Sequence, residues 1–135
     1  IRDAQESRGL GDVYKRQSVL YLPKGNYWRL IMELPACPVE TTLMLIGDKW
    51  KVLILRDLMN GTKRFGELKK SIGTVSQKVL TAQLRDMEEK RLVERKVYAE
   101  VPPRVEYTLT EMGYSLKPIL DAMWAWGEEY QAKNQ

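Results

Sequence analysis

The sequence predicts a mainly α-helical domain with a small β-wing. Three observations carry that expectation. Apolar residues recur at helical spacing in successive segments between Pro38 and Met87. A short polar turn, Gly73-Thr74-Val75-Ser76, joins the last two of those segments. Val105, Tyr107 and Leu109 then alternate with Arg104, Glu106 and Thr108, which is strand periodicity with one buried face. Together they outline a winged helix-turn-helix whose functional centre runs from Arg64 to Arg104.

The elements follow in order from Met32. Pro38 is suited to open a helix on which Val39, Leu43 and Ile46 share a face, with Gly47 as the stop. Asp48 caps a second helix carrying a stripe of Trp50, Leu53, Ile54 and Leu58, which ends at Asn60-Gly61. Lys63 to Phe65 reads as a brief strand. Phe65, Leu68 and Ile72 mark a third helix, stopped by Gly73. Thr74 or Ser76 caps the fourth, and Thr74-x-x-Gln77 offers a capping box.

On the fourth helix, Leu84 and Met87 fall within about 40° of Leu80. Lys78, Thr81, Ala82 and Arg85 lie on the opposite side, with Ser76 and Gln77 at the amino-terminal end. The small Ala82 and Thr81 let the backbone approach a groove closely. The partner strand of the hairpin runs near Val93 to Ala99, and Pro102-Pro103 hold the tip extended. Arg104 at a stiff tip suits a phosphate or minor-groove contact; the competing reading is a plain surface turn. The last helix is expected from Glu111 to Gln131, with Pro118 kinking it. Its apolar residues Leu116, Ile119, Leu120, Met123, Trp126 and Tyr130 exceed what one core contact uses, because Trp124 and Trp126 cannot share a face. That excess points to a dimer interface. The alternative is that the tryptophans close the protomer's own core.

Composition narrows the function. Of 135 residues, 44% are hydrophobic and 30% charged, as in a globular domain with a real core. Histidine is absent, which removes Ser-His-Asp and Cys-His catalysis and histidine metal sites. No catalytic residue, metal ligand or cofactor is expected. The net charge of +4 is unevenly spread: Lys63, Arg64, Lys69, Lys70, Lys78 and Arg85 face only Glu67 between Thr62 and Arg85. Such a concentration of cations points to a polyanion, although a solvated lysine-rich surface would look similar. Apolar runs such as Val52-Leu53-Ile54-Leu55 are far too short for a bilayer. With a single cysteine and no secretory pattern, the expected compartment is the cytoplasm, with no membrane partner.

Residues 1–31 differ from the rest. Arg8 to Gln17 has neither helical nor strand periodicity and resembles a translated sequencing adapter. We read 1–31 as a non-native or disordered leader and 32–135 as the domain, beginning at Met32. A flexible basic arm that touches DNA is the alternative.

The chain resembles the HxlR-type branch of bacterial winged-helix regulators, close to the MarR group, over about residues 37–130. The resemblance rests on Cys37-Pro38-Val39-Glu40, Leu45-Ile46-Gly47-Asp48-Lys49-Trp50, Phe65-Gly66-Glu67-Leu68, Ser76-Gln77-Lys78-Val79-Leu80-Thr81 and Val101-Pro102-Pro103-Arg104-Val105-Glu106-Tyr107, in that order. It implies a homodimeric regulator, in the first instance a repressor, on a palindromic operator in double-stranded DNA. The helix from Ser76 would enter the major groove, the wing would follow the backbone, and the terminal helices would form the dimer. Candidate DNA contacts are Arg64, Ser76, Gln77, Lys78, Thr81, Arg85, Pro102, Pro103 and Arg104. Two positions depart from the family: Arg91 and Asp48 stand where glycine is common. A left-handed backbone at Arg91 would cost about 1–2 kcal/mol.

Cys37 precedes a predicted helix amino terminus, where the dipole favours a thiolate while Glu33 and Glu40 oppose it. The resemblance implies that an oxidant or electrophile could act there; a packing role is the alternative. A lone cysteine without histidine is a poor catalytic set, so a Cys37 redox enzyme is the weaker reading. A winged-helix module that binds protein, and a ligand-responsive regulator without redox sensing, are the remaining alternatives.

Overall fold

The computed structural model describes residues 34–135. The expected leader over residues 1–31 lies outside the described residues. The elements are α1 (Pro38–Ile46), α2 (Lys49–Leu58), β1 (Lys63–Arg64), α3 (Phe65–Ile72), α4 (Gln77–Glu89), β2 (Val93–Tyr98), β3 (Arg104–Leu109), α5 (Glu111–Tyr114) and α6 (Lys117–Asn134). The chain divides into two compact units between Thr41 and Thr42, inside α1.

Pro38 opens α1, where its missing N–H is no loss, and the Cys37 carbonyl accepts the Thr41 N–H at 3.1 Å. Glu40 in the first turn complements the positive end of the helix dipole. Of the three apolar residues expected to share a face of α1, only Ile46 is buried; Val39 and Leu43 are exposed. Gly47 follows the helix at a position that only glycine fits, because any Cβ there would collide with the Leu43 carbonyl.

Asp48 caps α2 as expected, its Oδ1 accepting the Lys51 N–H at 2.8 Å. The buried face keeps Ile54 and Leu58 of the expected stripe and widens it to take in Leu55. Ile54, Leu55 and Leu58 are fully buried, whereas Leu53 is only half-buried. The reason is position: α2 packs against α3, α4 and β3, so it buries an arc wider than a single stripe.

The brief strand is Lys63–Arg64, and Phe65 already belongs to α3. There the Glu67 carboxylate accepts the Arg64 N–H at 2.8 Å, satisfying a donor at the helix start. Gly73 ends α3 at φ +81°, a conformation that glycine adopts without a Cβ penalty. The sheet is antiparallel in the order β1-β3-β2. In the β2–β3 hairpin Val93 pairs with Leu109 and Tyr98 with Arg104, which puts Tyr107 and Leu109 in the core. Leu68, Val75, Leu80, Leu84, Met87, Leu92, Val93 and Leu116 fill the rest of it around α2.

The expected single helix over Glu111–Gln131 is two helices. Thr110 caps α5, accepting the Gly113 N–H at 3.1 Å, and the chain turns at Ser115-Leu116 before α6 begins. Pro118 therefore lies in the first turn of α6 rather than at a kink. A proline needs no N–H partner in a first turn, and the break lets Leu116 point into the core at 9% exposure.

Candidate nucleic-acid interface

The turn between α3 and α4 is short and anchored. The Thr74 N–H reaches the Ile72 carbonyl at 2.9 Å, and Val75 is buried. Ser76 caps α4, its hydroxyl accepting the Val79 N–H at 3.1 Å. The Thr74-x-x-Gln77 capping box is thus not formed: Gln77 is the first helical residue, too early to serve as the third.

With α4 started there, its two faces separate. Leu80, Leu84 and Met87 are buried at 0%, 1% and 0% exposure. Ser76, Gln77, Lys78, Ala82 and Arg85 are exposed, and Thr81 is half-buried. Among the described residues no ion pair engages Lys63, Arg64, Lys69, Lys70, Lys78 or Arg85. By contrast Lys51, Lys90, Arg95 and Arg104 each hold a carboxylate. Among the described residues Lys49 and Lys96 also lack an ion pair, but each ammonium stands over an aromatic ring, Trp50 and Tyr98 respectively, so the β1–α3–α4 segment carries the largest group of cations without a counter-ion. An α-helix with small and polar residues on its exposed face fits the major groove.

Arg64 and the wing come together. Arg64 and Gly66 at the start of α3, with Glu100, Pro102, Pro103 and Arg104 of the wing, line one cleft of about 350 Å³. Pro102 and Pro103 are exposed, as a backbone-following tip requires. Arg104, expected as a phosphate or minor-groove contact, is held by its own hairpin. Its Nη2 lies 3.0 Å from Glu100 Oε2 and its Nη1 3.6 Å from Glu106 Oε2. Its guanidinium carbon stands 3.9 Å from the centroid of the Tyr98 ring. The tip folds Arg104 onto its own strand because two acids and an aromatic surround it within the hairpin.

One cluster was not foreseen in the sequence. Lys51 Nζ of α2 bridges Asp48 Oδ2 at 3.2 Å and Asp86 Oδ2 of α4 at 2.9 Å, and Lys90 Nζ meets the same Asp86 oxygen at 2.9 Å. Burial pushes the Asp86 carboxyl up, but hydrogen bonds and charge from Lys90 and Lys51 outweigh it and hold the group below its ordinary range. Asp48 is held down likewise: burial raises it, and the Lys51 N–H, ammonium hydrogen bond and charge prevail. The Asp86–Lys90 spacing of four residues was a usable signal. The Lys51–Asp86 bridge is tertiary and left none.

At the carboxy-terminal end, every residue of α6 is at least partly exposed. Ile119, Met123 and Trp126 form a groove of about 600 Å³ with Pro118 and Ala122. Trp126 stacks on Tyr130 at 5.3 Å between ring centroids. Trp124 and Trp126, at 63% and 67% exposure, do not close the protomer's own core. Leu116 corrects the predicted interface set, since it belongs to that core, and Leu120 packs half-buried against it. Cys37 is exposed beside the start of α1. No helix among the described residues is long and apolar enough to cross a membrane.

The model of the HxlR-like helix-turn-helix family matches residues 45–135. The chain belongs to that family. It is 48% identical over 99 residues to the HTH-type transcriptional regulator YdeP of Bacillus subtilis, covering 73% of this chain and 77% of the relative. Among solved structures it is similar to the redox regulator HypR in its oxidized form, with a TM-score of 0.66 and 47% identity over 69% of this chain and 96% of that one. It is also similar to the reduced form of the transcriptional regulator YodB from B. subtilis, with a TM-score of 0.64 and 38% identity over 75% of this chain and all of that one. This member of the HxlR-like family is a helix-turn-helix transcriptional regulator with a winged-helix fold, mainly α with a three-stranded sheet.

Proposed function

We propose that the chain is a homodimeric repressor that binds a palindromic operator and responds to oxidants or electrophiles at Cys37. The observation that carries the DNA reading is the division of α4. Three buried apolar side chains fix the helix to the core, while Ser76, Gln77, Lys78 and Arg85 face solvent and, among the described residues, neither cation is in an ion pair. In the major groove Gln77 pairs with adenine, Thr81 meets a thymine methyl, and Lys78 and Arg85 take phosphates or guanine O6 and N7. Arg64, Pro102 and Pro103 follow the adjacent backbone, and Arg104 joins them once released from its acids. The exposed apolar face of α6 supports the dimer, with Ile119, Met123, Trp126 and Tyr130 at its centre. A two-fold dimer sets its recognition helices about 34 Å apart, one turn of DNA.

The redox part rests on exposed Cys37 and on the redox regulator HypR among similar structures. With one cysteine per chain, any disulfide formed there is intermolecular or mixed. A protection footprint on the DNA upstream of the gene should give two symmetric half-sites one helical turn apart. Diamide should change the affinity of the native protein and leave Cys37→Ser unchanged. Equal affinity of reduced and diamide-treated native protein would remove the redox part and leave a ligand-responsive regulator. No binding to any duplex at low salt would instead favour a protein-interaction module.

A further inference from the structure

We propose that Glu100 sets how much the wing contributes to DNA affinity, by holding the guanidinium edge of Arg104 that a DNA phosphate would take. The inference rests on the reading of the wing as a DNA-contacting element. Both terminal nitrogens of Arg104 face acids in the free protein. Nη2 lies 3.0 Å from Glu100, Nη1 lies 3.6 Å from Glu106, one face covers Tyr98, and Nε is buried without a partner among the described residues. A carboxylate and a phosphate offer guanidinium the same paired oxygen acceptors, so they compete for the same edge.

The two acids are not equivalent. Glu106 lies within β3, its side chain 21% exposed, opposite Arg64 in one register and Lys96 in the other. It has other cations at hand and belongs to the sheet. Glu100 lies in the turn between the strands, its side chain 51% exposed, and makes the shorter contact. It also lines the cleft shared by Arg64, Pro102 and Pro103, where a phosphate following the wing would arrive. Glu100 is therefore the partner that DNA displaces, and it acts through Arg104 as a positioning residue.

The test measures binding of the native protein, Glu100→Gln, Glu94→Gln and Arg104→Ala to a fluorescent duplex recovered by selection on the native protein, across a salt series. Glu94 is an exposed acid of β2 that pairs by register with Thr108, so its neutralisation reads only the long-range effect of one lost charge. Glu100→Gln should tighten binding beyond Glu94→Gln by about 2–5-fold per wing, the range of an exposed ion pair. Its salt dependence should be steeper by up to about 0.9 per wing, because no carboxylate is left to recapture a counter-ion. In the Arg104→Ala background the excess of Glu100→Gln over Glu94→Gln should vanish. Native binding with Glu100→Gln no tighter than Glu94→Gln, or an excess that survives without Arg104, would overturn this inference alone. Absence of native binding at every salt concentration would overturn the DNA reading, and this inference with it.

Discussion

Arg91 closes α4 with φ at +63°, a left-handed backbone that a side chain resists. The surroundings explain why it persists. The Arg91 N–H donates to the Glu88 carbonyl at 3.0 Å and the Leu92 N–H to the Met87 carbonyl at 2.9 Å, the double closure of a Schellman end. The Thr110 hydroxyl then donates to the Arg91 carbonyl at 2.6 Å. The position wants a residue without a Cβ, and holding arginine there draws on stability made elsewhere. Arg91→Gly should be about 1 kcal/mol more stable than Arg91→Ala in urea unfolding, since both lose the same side chain and only alanine keeps the strain. Equal stabilities would contradict that account. The family resemblance already marked this residue as unusual; the hydroxyl that secures it lies 19 residues away and was not legible.

At the level of the element, α4 depends on two devices, an apolar face and an ionic tie to α2. Leu84 is 1% exposed, and Leu84→Ala should cost roughly 2–5 kcal/mol of stability by leaving a cavity. The ionic tie adds a pH dependence. The carboxyls of Asp86 and Asp48 are depressed in the folded protein, so the unfolded chain takes up protons first as pH falls. Their stabilisation is full above the unfolded value of about 3.9 and is lost as pH drops through the folded values below it. Asp86→Asn should therefore flatten the acid limb of a stability-versus-pH curve below about pH 4, while an unchanged limb would mean the tie contributes nothing. The apolar face was readable because Leu80, Leu84 and Met87 recur at helical spacing. The tie was not, because Lys51 and Asp86 meet only when α2 crosses α4. The break before α6 was half readable: Pro118 signalled a disturbance, but only the demand of the core for Leu116 decides between a kink and a new helix start.

At the scale of the whole molecule, α6 carries the exposed apolar surface on which the proposed dimer rests. Trp124, Trp126, Met123 and Tyr130 are all at least half exposed, more apolar surface than a lone protomer helix ordinarily presents. Met123→Glu with Trp126→Glu should shift the scattering mass from twice the 15.7 kDa chain mass to the chain mass, without unfolding the protomer. Leu116→Ala, by contrast, should lower stability, because that side chain serves the core. An unaltered mass in the α6 double variant would assign the dimer to another surface. The exposed excess was visible in the sequence from the two tryptophans alone; which residues it comprised required the packing.

On the proposed function, the exposed face of α4 reads DNA with Lys78 and Arg85, which no ion pair engages among the described residues. The most direct measurement is the salt dependence of duplex binding by the native protein beside Lys78→Ala and Arg85→Ala. If the dimer neutralises about 6–10 phosphates, native affinity should fall by about 10³–10⁵ between about 50 and 200 mM salt. Each substitution should weaken binding, and reduce the slope by about 1 for every phosphate contact it removes, with thermal stability unchanged. A flat native response, or slopes unaltered in both variants, would contradict the account.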